Sequence, residues 1–450
     1  MTKSTDLDNA MLENIGNHTV EEIFELLFSK DLLEDIIHYS IEYAKQINNH
    51  EFTISSNELK VFIGILLLSG YHKEPQEDMY WELLPDAARY REIKKYLHLC
   101  NNSNLDNKDK FAKVRPYLNK LKGNYMQFGV FAALLSLDEM MIKYFGMHSA
   151  KMFMRSKPIK FGYKFWCLCS YNGYLFNFDP YYGKGDSDSK EPLGMRVVKK
   201  LTDVLPSGEQ SYQLFFDNFF TSIETLALLR EKHLKATGTI RENCCKKCPM
   251  IDYKTMQKKE RGHIDYRVDC TNKILITRWN DNKPVSVATN YSSVYPTVTA
   301  RQYSQKEKQH LNVNMPKCIS EYNHNMSGVD MLDKQVSLYR TRIRGKKWWF
   351  PMFTQFFYIT VVYAWCLYQE ASTDKTMSLL TARRKIILSY LSKPTASDCK
   401  RSGRKTKISK GRVSEAIRLD EGNHLVQPMC TLVMDCVNRF TSKELFSISI

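Results

Sequence analysis

Four aspartates are the residues of this 450-residue chain best suited to chemistry. Asp138 closes the apolar run Ala133-Leu134-Leu135-Ser136-Leu137, and Asp217 closes the run from Tyr212 to Phe216. Asp330 and Asp333 stand three apart in Gly328-Val329-Asp330-Met331-Leu332-Asp333, a spacing that puts both on one helical face. Carboxylates of this kind form a hard oxygen-ligand set suited to Mg²⁺ or Mn²⁺. Two such ions about 4 Å apart activate a water or 3′-hydroxyl and steady the leaving oxygen of an in-line phosphoryl displacement. Each acid alone has a plainer reading. Asp217 could cap the Asn218 to Ser222 turn, and Asp330 and Asp333 could be a solvated helix face paired with Lys334 and Arg340. The set of four favours the metal reading.

The elements that must position these acids follow from periodicity. The first third is mostly helical: Thr19 with Glu22 and Ser55 with Glu58 have capping-box spacing ahead of helically spaced apolar residues, and further helices are expected around 90–99 and 114–121. From residue 132 the pattern turns to strands, ending first at Asp138 and running again from Lys160 to Ser170. Asn172-Gly173 between strand-like runs marks a hairpin whose central residues both favour positive φ, so the second and third strands should be antiparallel neighbours. A helix over 195–205, a strand over 212–217, a helix over 223–231 and a strand over 234–240 complete the order. That order is the one of an RNase H-like α/β fold, in which the strands of Asp138 and Asp217 lie side by side. Residues 241–317, with a cysteine-rich start and short β-like runs, read as an insertion domain.

The formal charge of +16 is uneven, since residues 1–37 hold nine acids and two lysines and leave +23 on the rest. A body so basic favours a polyanionic partner, because each phosphate neutralised releases condensed counterions. Twelve scattered cysteines and no charged-then-apolar leader point to a reducing compartment. Cys244, Cys245 and Cys248 have only Cys270 and His263 as nearby partners, so a structural zinc is not expected. The apolar stretch 348–368 is long enough to span a bilayer, but Pro351, Thr354, Gln355 and several tyrosines make it a buried helix, and no membrane partner is expected. Lys157, Lys160 and Lys164 flank the acids as DNA-channel candidates. Trp348, Trp349 and Phe350 beside Arg342, Arg344, Lys346 and Lys347 suit either base stacking with phosphate contacts or core packing. Residues 383–412 carry a formal +10, and Arg383, Arg384, Lys385, Lys400, Arg401, Arg404 and Lys405 are candidates for nuclear localisation.

Ser136-Leu137-Asp138-Glu139, Lys157-Pro158 with Gly162-Tyr163-Lys164, Phe216 to Ser222, Trp279 with Asp281 to Val285, and Gly328 to Asp333 together resemble the piggyBac transposase family. Tyr80-Trp81 and the Arg340 to Trp349 region extend the match, which runs from about residue 20 to His424. The resemblance implies an RNase H-like catalytic domain (132–240 and 318–339) split by the insertion domain (241–317). It implies a mostly helical DNA-binding and dimerisation domain (20–131 and 340–382), with a disordered acidic N-terminus (1–19) and a basic linker and tail (383–450). It further implies cut-and-paste transposition of double-stranded DNA through hairpin ends, joining at TTAA, a homodimer, a nuclear location, and Asp138, Asp217, Asp330 and Asp333 as the family's carboxylates. The last 26 residues hold only Cys430 and Cys436, so the cysteine-rich end-recognition module common in the family is expected to be missing or replaced. A non-catalytic DNA- or chromatin-binding derivative is the alternative expectation.

Overall fold

The computed structural model describes residues 15–80, 87–155, 157–183, 191–206, 212–245, 248–304, 308–341, 343–372 and 375–392. Helices α1 (Val20–Leu27), α2 (Lys30–Gln46), α3 (Ser56–Leu68), α4 (Ala87–Tyr96) and α5 (Arg115–Met126) fill the first third. Both capping boxes form: the Thr19 and Ser55 hydroxyls accept from the Glu22 and Glu58 amides, and each glutamate accepts from its cap's amide at 2.8 Å. Each satisfies two amides that a helix start otherwise leaves open.

A mixed sheet follows, built from β1 (Leu134–Lys143), β2 (Met152–Phe153), β3 (Phe161–Ser170), β4 (Leu175–Tyr181), helix α6 (Leu193–Thr202), β5 (Gln213–Phe216), helix α7 (Ile223–Glu231) and β6 (Lys235–Thr239). β3 pairs antiparallel with β1 and with β4, while β5 lies parallel to both β1 and β6. The hairpin between β3 and β4 turns at Asn172-Gly173, with only Gly173 of the pair at positive φ, 97°. Asp138 is not the end of its strand. β1 keeps pairing with β3 as far as Lys143 opposite Gly162, whereas β5 accompanies it only to Leu137, so a ladder of β1 and β3 projects past the parallel core.

The segment 241–317 does not stand apart from this sheet. After the short helix α8 (Tyr253–Gln257), strands β7 (Ile264–Asp269), β8 (Ile274–Asn280) and β9 (Pro284–Thr289) form, and β9 pairs antiparallel with β6. The sheet order is β2-β3-β1-β5-β6-β9-β8-β7, with β4 on β3. β10 (Val298–Ser304) and β11 (Gln309–Met315) make a separate hairpin. Cys245 is buried and its thiol, pushed up to about 11 by burial, donates to the Arg241 carbonyl.

Helices α9 (Lys317–Asn325) and α10 (Gly328–Ser337) return to the sheet, and α11 (Phe350–Ala371) and α12 (Leu379–Leu391) return to the N-terminal helices. α11 is the apolar stretch of bilayer length, and 89% of its apolar window is buried inside the fold. Its main-chain carbonyls accept from Tyr117 and Tyr125 hydroxyls, and Phe357 packs edge-on to Phe24 at 5.7 Å. Trp349 and Phe350 belong to this core, while Trp348 is half-buried and stacks on His148 at 4.0 Å.

His98 lies where the helices meet Trp349, stacked on Tyr43 at 4.0 Å with Nε2 3.0 Å from Asn102 Oδ1. Burial foremost, with Lys347 and Lys113 nearby, holds its pKa down to about 4. The folded chain therefore keeps His98 neutral while the unfolded chain protonates it below about 6.5, so this contribution to stability is present above pH 6.5 and is lost as pH falls towards 4. Between pH 7.5 and 5 the loss due to His98 amounts to about 2 kcal/mol. Urea unfolding of His98→Gln should show a pH 7.5-to-5 decline smaller than the parent's by that amount, and equal declines would remove His98 as the cause.

Candidate active site

Asp138 and Asp217 are neighbours by strand register. Leu137 of β1 pairs with Phe216 of β5, and each aspartate is the next residue along. Asp217 lies just past β5, where the chain turns: its Oδ1 accepts from the Phe219 amide at 2.9 Å and its carbonyl accepts from the Thr221 hydroxyl at 2.8 Å. Asp217 therefore caps its own turn.

The other two acids come with α10, which packs on β1 and β3. Gly328 is pressed against the Ser170 carbonyl and the Ser136 hydroxyl, leaving no room for a β-carbon. That close approach seats the start of α10 directly on β1 and β3. Asp330 is exposed, and Asp333 is largely covered, with Oδ1 buried and accepting no hydrogen bond.

Lys157, from the loop between β2 and β3, reaches into the middle of this group. Its Nζ is 3.1 Å from Asp138 Oδ2 and 3.6 Å from Glu139 Oε1, and its charge also acts on Asp217, Asp330 and Asp333. Even so, burial raises Asp138 to about 6 and Asp333 to about 7, and Asp217 is also raised by burial, with the Asp138 charge adding to it. Desolvation therefore outweighs the lysine, and these carboxylates hold their protons to higher pH than exposed aspartates do. A buried, unpaired Asp333 oxygen and an all-carboxylate donor set fit a hard divalent cation. Among the described residues no three His, Cys, Asp or Glu already stand in ligand geometry.

Several expected DNA contacts turn out to be internal. Lys164 is buried with Nζ 3.7 Å over the Trp166 ring, because its strand position points it across the sheet face onto the Trp166 and Phe219 stack. Lys347 donates to the carbonyls of Lys95 and Leu97 at the end of α4, and burial lowers its pKa to about 8. Arg383 is 3% exposed and donates to the Leu67 carbonyl at 2.9 and 3.2 Å, so it is no part of an accessible basic signal, and residues 383–391 belong to α12, where a basic linker was expected. Lys160, Arg344, Lys346 and Lys385 are exposed, and Arg384 lies over the Tyr71 ring. Arg342, Lys400, Arg401, Arg404 and Lys405 fall outside the described residues. Glu139 was missed as a member of the cluster, although its place beside Asp138 in sequence was a usable signal.

The family described as Transposase IS4 matches residues 19–365. The human PiggyBac transposable element-derived protein 3 is 37% identical over 422 residues, spanning 91% of this chain and 70% of that protein. The chain belongs to the piggyBac transposase family. The human PiggyBac transposable element-derived protein 2 is 34% identical over 89% of the chain and 69% of its own length. The piggyBac fold itself extends over most of the structure: a cryo-EM structure of a piggyBac transposase synaptic complex with hairpin DNA superposes with a TM-score of 0.70, 21% identity, and coverage of 84% of this chain and 81% of that one. Asp138, Asp217, Asp330 and Asp333 of this piggyBac relative all lie inside the region matched by the family.

Proposed function

We propose that the protein is the core of a metal-dependent DNA transposase that cleaves and joins double-stranded DNA by cut-and-paste transfer. The observation that supports this most is that Asp138 lies within electrostatic reach of Asp217 and of Asp333, and Asp333 of Asp330, although the four come from three distant segments. The strand order β4-β3-β1-β5-β6 supports an RNase H-like reading of the catalytic core. The named synaptic complex of the structural relative, and the human relatives' names, support DNA as substrate. So does the segment from Lys143 to Phe161, which carries five Lys or Arg and no acid while exposing Phe145, Met147, Phe153 and Phe161. A homodimer and a nuclear location go with this reading.

In the mechanism, Asp138, Asp217, Asp330 and Asp333 would hold Mg²⁺ or Mn²⁺. When bound, the ions supply an activated water or 3′-hydroxyl and a stabilised leaving oxygen. The chain's own contribution is placement. The register of β1 and β5 fixes two carboxylates side by side, the Asp217 turn holds its carboxylate at the strand end, and Gly328 seats α10 so that Asp333 faces inward. Lys160 stands exposed at the start of β3, where it meets a phosphate backbone approaching the acids.

Purified protein should nick supercoiled plasmid, and form hairpins on TTAA-ended duplexes, only with Mg²⁺ or Mn²⁺. Asp217→Asn and Asp330→Asn should each lower that rate by about 1,000-fold with duplex affinity kept. Salt-sensitive binding with no cleavage by the parent would replace this reading with a non-catalytic DNA- or chromatin-binding function.

A further inference from the structure

Among the described residues, Lys157 is the one cation at ion-pair distance from the acids of the proposed site. It reaches them from a loop closed by the hydrogen bond from the Met154 amide to the Lys160 carbonyl, so its withdrawal moves only a few residues. Its side chain is 21% exposed, which leaves a path out to solvent. Around its ammonium lie Asp138 and Glu139 in contact and Asp217, Asp330 and Asp333 within electrostatic reach, while Asp333 Oδ1 still accepts nothing.

Arg340, beyond the end of α10, also acts on Asp333, but among the described residues the ammonium of Lys157 alone sits in contact with Asp138 and Glu139, and a divalent cation entering there would meet it head-on. We infer that Lys157 is a resident counter-ion of the site, docked on Asp138 and Glu139 until a divalent cation displaces it, and freed by that exchange to face the DNA backbone. The inference rests on the metal-dependent reading above and adds an order of events to it. Docked, the lysine offsets repulsion that would otherwise spread β1 and α10 apart. Displaced, it is an unpaired ammonium beside the cleavage position. Because lysine docking and cation binding oppose each other, each weakens the other by the same free energy.

The test uses the full chain without DNA, titrated with Mn²⁺ and followed by the EPR signal of the free ion. Lys157→Met should tighten the apparent Kd about tenfold, while Lys157→Arg, which keeps the charge, stays within about threefold of the parent. Without Mn²⁺ the Lys157→Met protein should melt lower than the parent, and saturating Mn²⁺ should raise its melting temperature by more than it raises the parent's. If Lys157→Met does not fold, Lys157→Gln is judged by the same criteria. Unchanged Mn²⁺ affinity would make the lysine a fixed strut, weakened affinity would make it a helper of the metal, and either overturns the inference. Asp217→Asn and Asp330→Asn separate the two layers of argument. If they bind Mn²⁺ as the parent does, the metal-site reading itself falls; if they lose Mn²⁺ while Lys157→Met fails to tighten it, only the counter-ion falls.

Discussion

Gly328→Ala should destabilise the protein by about 3 kcal/mol and lower DNA cleavage by at least about 100-fold. The added β-carbon would collide with the Ser170 carbonyl at the end of β3 and with the Ser136 hydroxyl on β1. Neither obstacle is a flexible chain end. The first is main chain held in the β1–β3 ladder, and the second is a buried hydroxyl on a strand with 0% exposure. Relief must come from α10 lifting away, and that motion carries Asp330 and Asp333 with it. Misplacement by about 1 Å costs about a hundredfold in a reaction that depends on positioning. Urea unfolding measures the first effect and plasmid nicking the second. A variant within 0.5 kcal/mol of the parent, on the order of an ordinary surface change, would show that the junction relaxes freely.

Arg383→Ala should cost about 3 kcal/mol, with Arg383→Met costing less. Two terms oppose each other here. Burial of the guanidinium is expensive, as its pKa lowered to about 10 shows, and among the described residues no carboxylate pairs with it. Against that stand two hydrogen bonds to the Leu67 carbonyl, in the last turn of α3, and ring contacts with Tyr358 at 4.8 Å and Tyr339 at 5.6 Å. Truncation to alanine forfeits those contacts, opens a cavity and strands a buried carbonyl, so the loss wins. Methionine fills the space and removes the buried charge, recovering part of the cost. Equilibrium unfolding of the two variants decides the order. Nuclear accumulation of whichever variant folds should match the parent, since Arg383 is not on the surface; a stable Arg383→Met that fails to accumulate would contradict its structural role.

Local signals carried much of the fold. The capping boxes at Thr19 and Ser55, the hairpin at Asn172-Gly173 and the order of strands and helices from β1 to β6 all depend on residues a few positions apart, and all formed. What depended on distant partners was misread. Asp138 looked like a strand end because the run of apolar residues stops there, yet pairing with β3 carries β1 on to Lys143. The segment after Arg241 read as an insertion, and nothing in its own residues announces that β9 pairs with β6. Lys164, Lys347 and Arg383 looked like surface charges because a basic residue does not declare the ring or carbonyl that will bury it. Of the four aspartates the sequence singles out, register explains why Asp138 and Asp217 are neighbours. Lys157 appeared only as a flanking charge, since its meeting with Asp138 and Glu139 is made by a loop whose path periodicity does not define.

The joining of the two ends of the fold has a consequence for its synthesis. The helices of the first third are completed by α11 and α12, and the Leu67 carbonyl waits for a guanidinium 316 residues further along. At about 5–20 residues per second, the ribosome takes roughly 15–65 s to supply it. Throughout that interval α1 and α3 can pack on α5, α2 and α4, but the faces that meet α11 and α12 lack those partners. The helical layer of the first third therefore closes only as one of the last events of production.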